Sequence, residues 1–320
     1  MKKVHYYFLG TILLFLVASR FFVYASDINE DMSLEDDKYQ KEFNMKYGIF
    51  SIVKPESLEF AGEKVPIQSS EIWERLDNEL LRNVYFQSNT TLYFKKANKY
   101  FPIIEPILKQ YEIPEDFKYL AVIESGLENV VSPSGAAGFW QIMKATAREY
   151  GLEVNADIDE RYHLEKATIA ACKYLKEAYN QFGNWTVAAA SYNMGRSGIS
   201  KRMQEQDVSN YYNLFLNSET ARYVFRIIAI KEILENPKDY GFIFRERDLY
   251  NMPTFKVIEV DSTIDNLYDF SRSLRINYKL LKYFNPWLRS TSLPDESRKR
   301  YKLRVPVASS LITLEENDLE

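Results

Sequence analysis

Apolar residues recur at helical spacing through the middle of the chain. In the run that follows Pro114, residues Phe117, Leu120, Ala121 and Glu124 fall at i, i+3, i+4 and i+7, so one face of a predicted helix is apolar and also carries a carboxyl group. Pro114 suits the first turn, where its missing N–H would go unpaired anyway, and Glu115 and Asp116 put negative charge at the positive end of the helix. Gly126 fits a left-handed residue that closes a helix, which places Glu124 in the last turn. The same periodicity predicts helices over EIWERLDNELLRNVYF after Ser69-Ser70, and over residues 89–109, 141–150, 164–182, 185–192 and 219–235. Gly151, Gly183 and Asn236-Pro237 punctuate them, and Asn184 is placed to cap one. No fixed internal period appears, so this part reads as a compact α domain and not a repeat array.

The pattern changes near Asn251-Met252-Pro253. FKVIEV reads as a strand, STIDNLYDFSRSL as a helix capped by Ser262 or Asp261, NYKLLKYFN as a second helix ending at Asn285-Pro286, and YKLRVPV as a closing strand. Strand–helix–helix–strand order within about 55 residues predicts a small separate module. At the start, Lys2 and Lys3 precede a mostly apolar run from Tyr6 to Ala18, and Val23-Tyr24-Ala25 stands before Ser26. That is the layout of an export signal cleaved after Ala25, for a periplasmic or cell-envelope protein. Arg20 interrupts the run; an uncleaved N-terminal segment associated with a membrane is the alternative. The expected organisation is a signal at 1–25, a polar, acidic extension at 26–68, a helical domain at 69–245, the module at 250–310 and an acidic tail at 311–320.

Composition removes several chemistries. A net charge of −4 and a pI near 5.6 argue against a nucleic-acid partner. The single cysteine, Cys172, lies on an apolar helical face, so no intrachain disulfide forms and no cysteine follows the apolar run to take a lipid. Two histidines, His5 in the signal and His163, are too few for a multi-histidine metal site and leave little for a catalytic triad. Neither GxxxxGK[ST] nor GxGxxG occurs, so no metal and no cofactor are expected. Carboxylate chemistry or plain binding remains. Glu124 is the candidate: apolar neighbours and the negative end of its helix both raise its pKa, and an acid kept neutral near pH 7 can protonate a poor leaving group. A lone glutamate is most often an exposed surface residue. What surrounds Glu124 decides otherwise.

Four motifs follow in order: Glu124-Ser125, Gly138-Phe139-Trp140-Gln141, Ser191-Tyr192-Asn193 with Gly195, and Glu219-Thr220 with Tyr223. On these, residues from about 101 to 235 resemble the catalytic domain of the family 1 soluble-type (SLT) lytic transglycosylases, and most of all their membrane-bound D-type branch. The resemblance implies a lysozyme-like helical fold in which Glu124 is the sole catalytic acid. It also implies substrate-side roles: Ser125 bonding Glu124 or a substrate acetamido group, Gln141 on the groove floor, Tyr192 and Asn193 on a groove wall, and Tyr223 bonding near Glu124. Trp140 is expected beneath the sugar groove and Trp185 in the core. Ser191 stands where the family usually has alanine and Phe139 where it has leucine; both changes are mild. Residues 255–306 resemble a divergent LysM fold, through Asp261-Ser262-Thr263, Asn285-Pro286 and Leu303-Arg304-Val305-Pro306. The fold class implied is mainly α, a lysozyme-like catalytic domain followed by a small α+β (βααβ) module. The activity implied is cleavage of peptidoglycan glycan strands to 1,6-anhydro ends by one glutamate. Glu128, Glu149, Asp157 and Asp159 keep a two-carboxylate hydrolase open, and a catalytically idle glycan-binding scaffold is a further alternative.

Overall fold

A computed structural model describes residues 37–42, 44–45, 48–294 and 299–307. The expected signal and the acidic tail lie outside the described residues. The chain divides into two units, Met1–Ser51 and Ile52–Glu320. In the first, residues 37–42 are helical, and Gln40 donates to Asn44 one turn on, at 2.9 Å.

The second unit opens with a hairpin that the helical periodicity did not announce, β1 (Leu58–Phe60) and β2 (Glu63–Val65), paired antiparallel with Phe60 opposite Glu63. Its two-residue turn, Ala61-Gly62, has positive φ at both positions, 55° and 77°, as a type I′ turn requires. Phe60 buries completely against Phe117, ring centroids 5.3 Å apart. The Glu63 side chain reaches a later helix, accepting from the backbone N–H groups of Trp185 (2.5 Å) and Thr186 (3.0 Å).

Eight helices follow: α1 (Ser70–Tyr85), α2 (Gln87–Gln110), α3 (Lys118–Ser125), α4 (Lys144–Glu149), α5 (Leu164–Phe182), α6 (Trp185–Met194), α7 (Arg196–Gln206) and α8 (Ser218–Glu235). Helix α6 is buried almost all round from Thr186 to Ser191, which makes it a central helix rather than an amphipathic one. Asn184 caps it by accepting from Val187 N at 2.8 Å, and Gly195 (φ 85°) ends it. Helix α8 buries Tyr223, Val224, Ile227, Ile228 and Ile230 and packs on α1, α3 and α6. Two expectations change at the edges. The helix predicted over 141–150 starts only at Lys144, because Gln141 adopts left-handed backbone (φ 45°) and Ile142 pairs with Ala137 in an isolated bridge. Helix α7, not foreseen, begins straight after Gly195.

The chain closes with β3 (Phe255–Val260), α9 (Leu267–Ser273), α10 (Tyr278–Phe284) and β4 (Tyr301–Pro306), β3 and β4 antiparallel with Phe255 opposite Pro306. The architecture is mainly helical, completed by this α+β module. Asn266, not Ser262 or Asp261, caps α9, accepting from Tyr268 N at 2.8 Å; the helix starts late because Ile264 is drawn into a bridge with Leu293. Ala137, Ile158 and Tyr162 of the helical part belong to the same buried cluster as Leu267, Trp287 and Leu303. Ile158 bridges Leu288, Asp159 N donates to Trp287 O (2.9 Å), and Arg289 N donates to Asp157 O (2.7 Å). The module docks on the helical part through a shared core and paired backbone.

Candidate active site

Helix α3 buries every residue from Tyr119 to Ile123, so its last turn is held deep in the domain. Gly126 then turns left-handed (φ 62°) and returns its N–H to Val122 O at 2.8 Å. Glu124 sits in that turn, partly accessible but with protein packed densely around it. Tyr223 of α8, 1% exposed, donates its hydroxyl to Glu124 Oε1. Burial pushes the Glu124 carboxyl up to about 7; the Tyr223 hydrogen bond and the charge of Arg226 hold the rise back, and the Glu219 carboxylate adds to it. Arg226 does not close on Glu124 as a salt bridge: its Nη2 donates to Ile123 O at 2.8 Å. Burial, with the charge of Glu124, raises the Tyr223 and Tyr192 phenols well above their ordinary value, so both are donors across the physiological range.

The loop 130–142 forms a wall beside this carboxyl, tied by bridges from Ala137 to Val131 and Ile142. Three of the predicted residues hold it. Ser125 Oγ donates to Phe139 O (2.8 Å) or Ala121 O (3.1 Å), so its one proton is committed to backbone and not to Glu124. Tyr192 donates to Trp140 O at 2.8 Å. Gln141 spends its amide N–H groups on Val130 O (3.0 Å) and Gly138 O (2.8 Å). Asn193 works elsewhere, accepting from Thr220 Oγ1 (2.7 Å) and donating to Glu219 (3.1 Å), and so joins α6 to the start of α8. The structure thus brings Glu124 and Tyr223 into direct contact. Ser125, Tyr192 and Gln141 frame the wall. Trp140 is fully buried, its indole N–H on Thr168 (2.9 Å), a core position. Trp185 stacks on Tyr179, centroids 3.9 Å apart, in the core.

Two arginines that the motifs did not flag matter here. Arg226 lies three residues beyond Tyr223 on the same face of α8, a spacing that could have pointed to it. Arg161 braces the wall from behind: it forks Asp159 at 2.9 and 2.7 Å and gives Nη1 to Gly135 O (2.8 Å) and Ile142 O (3.1 Å). Its own carbonyl explains Gly138, since a Cβ there would lie 2.0 Å from Arg161 O. Of the other acids considered, Asp159 is locked by Arg161, Glu128 is ion-paired with Lys96, and Glu149 is exposed.

This helical domain, with its wall loop and buried glutamate, matches a known family. Residues 101–215 match the transglycosylase SLT domain, and residues 256–309 match the soluble lytic transglycosylase C-terminal LysM-like domain. The chain thus carries an SLT transglycosylase domain followed by a LysM-like domain of the kind found at the C-terminus of soluble lytic transglycosylases. Membrane-bound lytic murein transglycosylase D of Escherichia coli (strain K12) is 30% identical over 167 residues, covering 50% of this chain and 36% of that protein. A putative tributyltin chloride resistance protein of Alteromonas sp. (strain M-1) is 24% identical over 194 residues, covering 58% of this chain and 90% of that protein. The solved 70 kDa soluble lytic transglycosylase of Escherichia coli is 19% identical with a TM-score of 0.40, over 59% of this chain and 38% of that one. The chain spans little more than a third of the length of the curated transglycosylase it matches.

Proposed function

We propose that this chain is an exported lytic transglycosylase of the cell envelope whose partner is the peptidoglycan glycan strand. In this reading Glu124 protonates the oxygen of the β-1,4 bond between N-acetylmuramic acid and N-acetylglucosamine as the bond to the anomeric carbon breaks. The resulting carboxylate takes the proton from the muramic 6-hydroxyl, whose oxygen bonds to that carbon, with help from the substrate's acetamido group. The product is a 1,6-anhydro end; the glutamate returns to its neutral form and no water is consumed. The observation that carries the reading is a largely enclosed carboxyl poised at about 7, bonded by a phenol and, among the described residues, by no arginine or lysine side chain. A value near the working pH suits a group that must act first as acid and then as base. Tyr223 stabilises the carboxylate between the two halves. Ser125, Gln141 and Tyr192 position the wall against which the sugar lies, and Asn193 fixes the end of α6 beside it.

A hydrolase with paired carboxylates is the second reading. It has one observation in its favour, since Glu124 feels the charge of Glu219, which is held by Asn193. The masses of fragments released from purified sacculi test both. Anhydro products from the unaltered chain, with a loss of about 10²–10⁴-fold in Glu124→Gln, are expected. Products one water heavier transfer the case to the hydrolase, and sacculus binding without release leaves only a scaffold.

A further inference from the structure

A hollow lies where the helical domain meets the module. It encloses about 780 Å³, inside the roughly 300–1,000 Å³ usual for ligand pockets, and Glu124 does not line it. The helical side contributes Lys99, Tyr100 and Phe139; the module contributes Tyr283, Lys302 and Arg304. Neither part makes the cavity alone. Because the two share a core and paired backbone, the walls are preformed. The hollow also borders the candidate active site through sequence and structure: Leu127, one turn past Glu124, lines it, as does Phe139, whose carbonyl receives Ser125.

Its chemistry differs from the rest of the molecule. In a chain of net charge −4, this lining holds Lys96, Lys99, Lys302 and Arg304 beside Glu128 and Glu165; Lys96 pairs with Glu128 and Arg304 with Glu165, which leaves Lys99 and Lys302 without a partner carboxylate in the lining. Lys99 Nζ lies 5.1 Å from the ring centroids of both Tyr100 and Tyr283 and donates to the Tyr283 hydroxyl at 2.6 Å. An ammonium between two phenol rings pairs a charge for an anion with flat faces for a sugar ring. His163 and Glu165 line the same hollow. His163 Nδ1 and Glu165 Oε2 stand 3.3 Å apart, both buried and neither hydrogen-bonded within the protein. The two face each other across that gap, and the second Glu165 oxygen is paired with Arg304. Burial, with the charges of Lys166 and Arg304, pushes His163 down to about 4, which keeps it neutral and able to donate or accept.

We propose that the junction cavity is a second binding site, taking a carboxylate-bearing part of the glycan strand through Lys99 and Lys302. The proposal rests on the peptidoglycan reading above for its substrate. The carboxylate has two sources in that polymer, the lactyl group of a peptide-stripped strand and the acids of the stem peptide. Calorimetric titration of the full chain carrying Glu124→Gln separates them, with three probes of equal sugar length: a neutral chitin oligosaccharide, a peptide-stripped strand fragment and a fragment with its stem peptides. At least one acidic probe is expected to bind tenfold or more tightly than the neutral one, and whichever acidic probe binds better names the source. Adding Lys99→Gln and Lys302→Gln, both on partly exposed side chains, is expected to erase the preference, with an unchanged melting temperature as the check on folding. Arg304→Lys, which keeps the charge, is expected to retain most of it. Equal binding of all three probes, or a preference that survives the lysine changes, overturns the site. The two readings fail separately: absence of anhydro products from the unaltered chain sinks the role of Glu124, while the binding preference decides the cavity.

Discussion

Two arginines four residues apart on α8 lie beside two glutamates, one buried and one partly so, and they treat them differently. Arg222 forks Glu79 of α1, with Nε to Oε1 at 2.6 Å and Nη2 to Oε2 at 3.0 Å, and Glu79 is 3% exposed. Arg226 gives its Nη2 to a backbone carbonyl and leaves Glu124 to the phenol of Tyr223. One carboxylate is clamped as an ion and staples two helices. The other keeps a proton it can exchange. On the proposed reading, what separates a structural from a chemical glutamate here is where the neighbouring guanidinium sends its donors, and burial alone does not decide it.

The contrast can be broken from either end. Arg222→Met strands Glu79 without its cation; since Arg222 is itself half-exposed, the loss is expected at the low end of the range for breaking buried pairs, about 3 kcal/mol, read from urea unfolding. Unchanged stability would mean that the fork is idle. Glu124→Gln should act in the opposite sense. A carboxyl raised from 4.5 to about 7 holds its proton more tightly folded than unfolded, so its contribution is fully present below about pH 4.5 and is lost as pH rises through 7. Glutamine removes that penalty: no gain at pH 4, and about 2–3 kcal/mol of added stability at pH 8, discounted for the part of Glu124 that solvent reaches. A loss at pH 8 would mean that the ionised form is favoured inside. The smallest effect is expected of Tyr223→Phe, which deletes the bond that favours the carboxylate. The alkaline limb of kcat/KM should move up from near pH 7 while the rate falls about tenfold, the scale of one hydrogen bond to a charged group. A limb that moves down would give Tyr223 some other task.

Local features of the fold were legible, because they rest on chemistry within a few residues. Gly126 and Gly183 end their helices in left-handed backbone, Asn184 caps α6, and the strands over 255–260 and 301–306 follow their alternation. Short-range rules also failed where distant groups compete. The helix expected from Gln141 is delayed by a bridge to Ala137, and the expected caps Ser262 and Asp261 yield to Asn266 because Leu293 claims the backbone of Ile264. The contact of Glu124 with Tyr223 crosses 99 positions, and a motif suggested it only because both residues carry distinctive patterns. Arg161 carries no such pattern and Arg226 only its spacing from Tyr223; the contacts of both come from which carbonyls lie beside them after folding. The junction cavity is invisible in either segment alone, being a product of how they dock.

Glu63 shows how far the working unit extends beyond the family-matched residues 101–215. Its carboxylate completes the amino end of the helix that bears Tyr192 and Asn193, so a strand far upstream sets the pose of both. An expression boundary drawn at residue 101 would discard that support along with the α1 partner of Arg222. For this chain the unit to produce, crystallise or graft starts before the β1 strand and runs through Pro306.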